Sequence, residues 1–310
     1  MRALLIDHNL PNHLRLGEAP DPVPGPAQVL IQVIGTSLNR GEVAFRAPAA
    51  AEGSILGWDA SGIVVTPATD GSGPAHGTPV LTVDAGGGGW AELRAVDTVS
   101  LTVVPEDADL AAFAALPVAG LSALRALRVL GTVEGRRVVI TGASGGVGRY
   151  AVQLGARAGG EMIAVAAPEH HQELIVLGAT SAVTRPSEID GEVFAVIDLV
   201  GGDFLPESYR VLQDHGGTLL SVGHAASKPE VFQVGDMQGK SRTIRGFYLF
   251  ADPAGIAGDL AQLVALMTEG TLDPQIAWRG SWTEHDEAVR SLLDRRLHGK
   301  AVLELDGSAR

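Results

Sequence analysis

The chain has 310 residues and a formal charge of −13, with 45% hydrophobic and 19% charged residues, so it is long enough for two domains and too apolar to be disordered. Its acidity, without a basic cluster able to displace counterions, excludes a nonspecific nucleic-acid binder and favours a small-molecule ligand. It contains no cysteine, which removes disulfides, thiolate metal sites and cysteine nucleophiles together.

The N-terminal MRALLIDHN meets Asp7 and His8 too early for a signal-peptide apolar region, and no apolar run reaches transmembrane length. The expectation is a cytoplasmic protein without a membrane partner. Short β-type runs at residues 2–6, 29–34, 62–65, 79–83 and 90–95 are punctuated by turn signals at 22–26 and 70–74. They predict an all-β, partly open barrel, in which Gly86 to Gly89 form a flexible connector. From Asp109 the period changes: Leu110, Phe113 and Leu116, then Leu121, Leu124, Leu127 and Leu130, predict two amphipathic helices broken at Pro117.

Residues 137–154, RVVITGASGGVGRYAVQL, read as strand, phosphate loop and helix. Val138 to Ile140 form a buried strand, Gly142 to Gly148 the glycine-rich turn, and Val147, Ala151, Val152 and Leu154 recur at helical spacing. Such glycines let the backbone approach a pyrophosphate held by free N–H groups at a helix N-terminus. Further strands at 162–167, 193–200 and 217–223 alternate with helical stretches and predict an α/β domain, a doubly wound parallel sheet with ligand-facing loops at its carboxyl edge. Residues 243–250 read as another strand, 258–268 as a helix, and 300–305 as a strand returning to the N-terminal barrel.

Six segments stand in order: Ser37-Leu38-Asn39-Arg40-Gly41-Glu42, residues 57–64 (GWDASGIV), residues 116–121 (LPVAGL), the glycine loop, residues 198–202 (DLVGG) and Gly223. Together they resemble the medium-chain dehydrogenase/reductase superfamily, in its zinc-independent quinone oxidoreductase and enoyl reductase branch. The resemblance implies a Rossmann-type doubly wound sheet plus a GroES-like partly open β-barrel. It implies a GroES-like catalytic domain over residues 1–108, a dinucleotide-binding domain over 109–250, and a return segment over 251–310 completing the catalytic domain. Zinc alcohol dehydrogenases of that superfamily hold their metal with a cysteine in the first segment, a histidine in the second and a later cysteine or aspartate. Here Trp58 stands in the histidine's place, so no metal is expected and Asp59 is expected to bond backbone N–H groups instead. Trp58 is expected to wall an apolar substrate pocket.

An NAD-specific site places an acid at the end of its second strand, but this strand ends in Ala166-Ala167-Pro168, with Glu169 beyond it. The resemblance puts His170 and Arg185 around a 2′-phosphate, which favours NADPH. The implied cofactor-binding set is Asn39, Ser144, Gly145, Gly146, Val147, Ala166, His170, Arg185, Val200, Gly223, Phe247 and Leu249. Asn39 is placed near the nicotinamide ribose and the substrate, its alternative being a turn-stabilising role, and residues 247–249 hold the carboxamide through backbone groups. Asn39 and Tyr248 are the candidate catalytic residues. Tyr248 also reads as a packed core aromatic, and His224 is a second candidate proton donor. The implied function is hydride transfer from NADPH to a conjugated carbonyl, a quinone or an enone, by a homodimer paired through residues 243–250. The alternatives are an enoyl-thioester or polyketide-tailoring reductase and a non-catalytic, crystallin-like NADPH binder.

Overall fold

A computed structural model describes residues 1–305; residues 306–310 of the expected return segment lie outside the described residues. Contacts divide the chain into one unit made of Met1–Leu121 with the residues from Asp252 on, and a second made of Ser122–Ala251. The division falls inside a helix, so residues 109–121 belong with the first hundred.

In chain order, β1 (Arg2–Ile6) and β2 (Leu14–Glu18) make an antiparallel hairpin. The long β3 (Gln28–Leu38) follows, then β4 (Asp59–Thr66), β5 (Pro79–Val83), β6 (Leu93–Asp97) and β7 (Leu101–Val103). In β3, Val29, Ile31 and Val33 are buried while Gln28, Leu30 and Gln32 are half-buried, the period of two expected of a strand with one face on a core. Two short helices come next, α1 (Leu110–Phe113) and α2 (Pro117–Leu130). Pro117 separates them as predicted, and it does so as the first residue of α2, where its missing N–H is not needed.

The second unit alternates strand and helix: β8 (Arg137–Thr141), α3 (Gly146–Arg157), β9 (Glu161–Val165), α4 (His171–Val176), β10 (Ser181–Val183), β11 (Ala195–Asp198), α5 (Phe204–Arg210), β12 (His215–Ser221), α6 (Val234–Met237) and β13 (Ser241–Gly246). Its six strands are all parallel, in the order β10-β9-β8-β11-β12-β13. Val138 to Ile140, Met162 to Val165 and Ala195 to Ile197 are buried, the uninterrupted apolar runs of strands covered on both faces. The strand order reverses between β8 and β11, where an open α/β sheet holds its ligand. The predicted strand over 243–250 stops at Gly246, and Leu249–Ala251 is a 3-10 turn.

The chain then returns to the first unit with α7 (Ile256–Thr268), β14 (Ile276–Ser281), α8 (His285–Leu293) and β15 (Lys300–Glu304). The sheet there runs β14-β15-β3-β4-β5-β7, with β6 also on β3. One edge of β3 carries β4; along the other, residues 28–32 pair with β6 and residues 35–38 with β15. The sheet is open and does not close into a barrel. Trp90 and Trp282 are fully buried in the core beside it. Among the described residues no helix is long and apolar enough to cross a membrane.

Candidate functional site

In the second unit, β8 delivers the chain to the reversal point and the glycine loop turns it into α3. Gly142 sits at φ +62°, in the left-handed region, and its carbonyl accepts the Gly145 N–H at 3.0 Å. A Cβ on Gly148 would lie 2.5 Å from the Gly142 oxygen and 2.6 Å from the Ala143 Cα, so only glycine lets the helix pack this close to its own loop. No side chain caps α3, whose N-cap is Gly145, so its first-turn N–H groups take no capping side-chain bond. Ser144, Gly145, Gly146 and Val147 are all half-buried around that end. From below, the Arg149 Nε donates to the Ser144 carbonyl at 2.9 Å.

Across the reversal point the Thr141 hydroxyl donates to Asp198 Oδ1 at 2.5 Å and itself accepts the Leu199 N–H at 3.0 Å. The second Asp198 oxygen accepts the Gly201 N–H at 2.9 Å. Burial pushes the Asp198 carboxyl up, against these hydrogen bonds. The result is a fixed loop bringing Val200 beside Gly142 and Gly223 against Leu199, where a Cβ on Gly223 would meet the Leu199 oxygen at 2.6 Å. The Phe247 N–H donates to Ser221 O at 2.9 Å, Leu249 is buried, and Tyr248 between them is 61% exposed, in edge contact with Phe250. Tyr248 is therefore no core aromatic. His224 Nε2 lies 3.7 Å from Glu230.

At the end of β9, Ala166 is buried and its carbonyl contacts His171 Nε2 at 3.0 Å, while Ala167, Pro168 and Glu169 are exposed. His170 Nδ1 lies 4.0 Å from Glu173. Arg185 is paired with Glu207 and stacks over the Phe204 ring at 5.0 Å. Both side chains expected around a 2′-phosphate thus stand beside carboxylates of their own.

The first unit holds Asn39 and Trp58, and Glu42, to which the sequence reading gave no role, joins them. Asn39 follows β3, and the turn of π-helix over Glu42–Arg46 aims the fully buried Glu42 inward. Glu42 Oε1 accepts the N–H groups of Gly57 at 3.1 Å and Trp58 at 2.6 Å; its Oε2 accepts from Asn39 Nδ2 at 2.8 Å. The other Asn39 amide hydrogen goes to Asp59 Oδ2 at 2.7 Å. Asp59 also accepts from the Ser37 hydroxyl and, at 2.7 Å, from the Val118 N–H, so it bonds a backbone group as expected but mostly side chains. Lys300, from β15, donates to Asn39 Oδ1 at 2.7 Å and lies 3.5 Å from Asp59. Arg94 donates to the Trp58 carbonyl at 3.1 Å and to Thr82 at 2.9 Å.

Burial, with the neighbouring Asp59, pushes the Glu42 carboxyl up to about 8, while Asn39, Trp58 and Lys300 pull it down. Burial also lowers the Lys300 ammonium and the Arg94 guanidinium, against the nearby carboxyls. Glu42 and Lys300 carried no sequence signal beyond a glutamate three residues after Asn39 and a lysine opening the last strand.

The family model for zinc-binding dehydrogenases matches residues 170–303. The chain is 30% identical to the quinone oxidoreductase of Sus scrofa over 274 residues, covering 82% of each. It is 31% identical over 289 residues to the spectinabilin polyketide synthase system protein NorB of Streptomyces orinoci, covering 90% of this chain but spanning only 13% of that protein. The structure of the quinone oxidoreductase from Coxiella burnetii matches with a TM-score of 0.87 at 28% identity, covering 99% of both chains. The zinc implied by the first description finds no donor set. The chain has no cysteine, Trp58 stands where a histidine ligand would, and among the described residues no three His, Asp or Glu side chains are grouped to hold a metal ion.

Proposed function

The chain belongs to the medium-chain dehydrogenase/reductase superfamily, in its quinone oxidoreductase and enoyl reductase branch, and on that footing we propose that it reduces a conjugated carbonyl acceptor, a quinone or an enone, with NADPH and without zinc. It is an oxidoreductase, and its family implies a nicotinamide cofactor. The observation that carries the reading is the uncapped α3 N-terminus, approached through Gly142 and Gly148 at the point where the parallel sheet reverses.

The reduced nicotinamide supplies a hydride. In this reading Ser144, Gly145, Gly146 and Val147 hold the pyrophosphate, Val200, Gly223, Phe247 and Leu249 line the nicotinamide end with backbone groups, and Asn39 binds a ribose hydroxyl. Trp58 offers a flat apolar wall, suited to a conjugated substrate. An enone or quinone spreads the charge that develops as hydride arrives, so the reaction does not require a Lewis acid. The small residues at the end of β9 support NADPH, with His170 and Arg185 around the 2′-phosphate once Arg185 exchanges Glu207 for it. Tyr248 and His224 are the exposed groups able to pass a proton. The same reading makes the protein a homodimer paired through β13, an edge strand with Ser241, Thr243, Ile244, Arg245 and Gly246 exposed.

The test follows loss of reduced-nicotinamide absorbance with NADPH or NADH against a quinone, a simple enone and an enoyl thioester, in the presence of a chelator. Consumption of NADPH with a quinone or enone supports the proposal. Turnover only with the thioester supports the second reading, an enoyl-thioester reductase, which the match to a polyketide synthase protein favours. Binding without turnover leaves a non-catalytic binder.

A further inference from the structure

Glu42, Asp59 and Lys300, three buried ionisable groups of the first unit, meet at one half-buried carboxamide, that of Asn39. Ser37, Glu42 and Asp59 are fully buried and Arg94 and Lys300 nearly so, whereas Asn39, bonded to three of them, is half-buried. A fold that buries this many ionisable groups around one partly exposed amide is maintaining something about that amide.

A carboxamide has two N–H donors and two acceptor lone pairs. Both donors are spent, one on Glu42 Oε2 at 2.8 Å and one on Asp59 Oδ2 at 2.7 Å. One lone pair of Oδ1 takes the Lys300 ammonium at 2.7 Å. Turning the amide over would set its NH2 against the Lys300 ammonium and its oxygen against Asp59 Oδ2, so Lys300 and Asp59 fix the orientation. The other neighbours of the ammonium are Leu38 O at 3.3 Å and Asp59 Oδ2 at 3.5 Å. What Asn39 has left for a ligand is one lone pair.

We propose that Lys300 is a positioning residue that locks Asn39 as an acceptor, so that Asn39 binds a hydroxyl of the cofactor and does not polarise the carbonyl of the substrate. This rests on the proposed function. Of the two molecules that reaction brings together, the nicotinamide cofactor carries hydroxyl donors, whereas a quinone or enone carbonyl offers only acceptors. An amide free to turn would donate to either; an amide held by Lys300 selects the cofactor.

The experiment compares, by fluorescence titration, NADPH with a reduced analogue lacking the hydroxyls of the nicotinamide ribose, using the wild-type protein, Lys300→Met and the double variant Lys300→Met/Asp59→Asn. The double variant removes one charge of each sign and keeps the measurement available should Lys300→Met fail to fold. Wild type is expected to bind the analogue about tenfold more weakly than NADPH, the worth of one hydrogen bond. The double variant, which leaves only Glu42 of the charged partners, is expected to bind NADPH about tenfold more weakly and to lose the discrimination, with the KM for the acceptor changed less than the affinity for NADPH. Lys300→Met, in which Glu42 and Asp59 still take both amide donors, is expected to lose part of the discrimination. A wild type that does not distinguish the two cofactors, or variants that discriminate as wild type does, overturns the inference while leaving NADPH-dependent turnover standing. A wild type that binds neither NADPH nor NADH overturns the proposed function and the inference with it.

Discussion

The guanidinium of Arg149 closes a two-pronged ion pair on Glu173, at 2.6 and 2.7 Å, and spends its remaining nitrogen on the carbonyl of Ser144. The glycine loop is therefore tied to α4 by a side chain only 2% exposed. Replacing Arg149 with Met removes that tie without opening a large cavity. Stability is expected to fall by about 1–3 kcal/mol, the cost of unmaking charge-assisted hydrogen bonds at a part-buried site. Affinity for the reduced cofactor is expected to fall with it, and thermal melts with a fluorescence titration check both.

The pH dependence of stability follows from Glu42. Its carboxyl is held at about 8 in the fold against an ordinary 4.5, so between those values the folded state keeps a proton that the unfolded chain has released. The folded state binding more protons means that stability falls as pH rises through this window. Asp198, also raised by burial, adds a slope of the same sign from its ordinary 3.8 upward. The melting temperature is expected to decline from pH 5 to pH 8, and Glu42→Gln to flatten most of that decline. The variant is also expected to be less stable at pH 5, because Oε1 is fixed by two backbone N–H groups and the new NH2 would face the Asn39 NH2.

Gly148→Ala and Gly223→Ala each push a methyl to within about 2.6 Å of backbone, which does not yield as a flexible side chain would. Each is expected to cost about 1–3 kcal/mol and to weaken cofactor binding. Gly258→Ala, in α7 with nothing within 4 Å of the added carbon, is the control and is expected to change stability by less than about 0.5 kcal/mol or to raise it slightly. Denaturant melts of the three separate the loop from the general effect of adding a methyl.

Cofactor choice is expected to respond to the partner of Arg185 as much as to Arg185 itself. Glu207 already holds that guanidinium, so Glu207→Gln should free it for a 2′-phosphate and raise the ratio of kcat/KM for NADPH over NADH by about threefold to tenfold. Arg185→Ala should lower the ratio. Equal ratios in wild type and both variants would remove Arg185 from the 2′-phosphate site.

The legible parts of this chain were those whose determinants are local. Val138 to Ile140 followed by Gly142 to Gly148 declares a strand and a tight glycine turn into a helix within a dozen residues, and the parallel sheet follows from repeating that alternation. β2 gives no strand signal in the sequence, because Leu14-Arg15-Leu16-Gly17-Glu18 buries only Leu14 completely. In α8 the buried residues are small or mixed in type, His285, Ala288 and Val289, and β14 breaks its apolar run with Arg279 and Gly280. Asn39 and Trp58 could be named from their motifs, but not what holds them. Lys300 reaches Asn39 across 261 residues of sequence, and no spacing rule shows that a lysine opening the last strand is turned inward.

Because β3 takes β15 along one edge, the sheet of the first unit is assembled from the earliest and the latest parts of the described chain. The second unit, by contrast, is one unbroken run, Ser122–Ala251. On a ribosome that run emerges whole while the first hundred residues still lack a neighbour for residues 35–38. Glu42 and Asp59 have been synthesised by then and their ammonium partner has not. The order of synthesis thus sets an order of maturation, in which the glycine loop can form early and Asn39 acquires its fixed orientation only when Lys300 arrives.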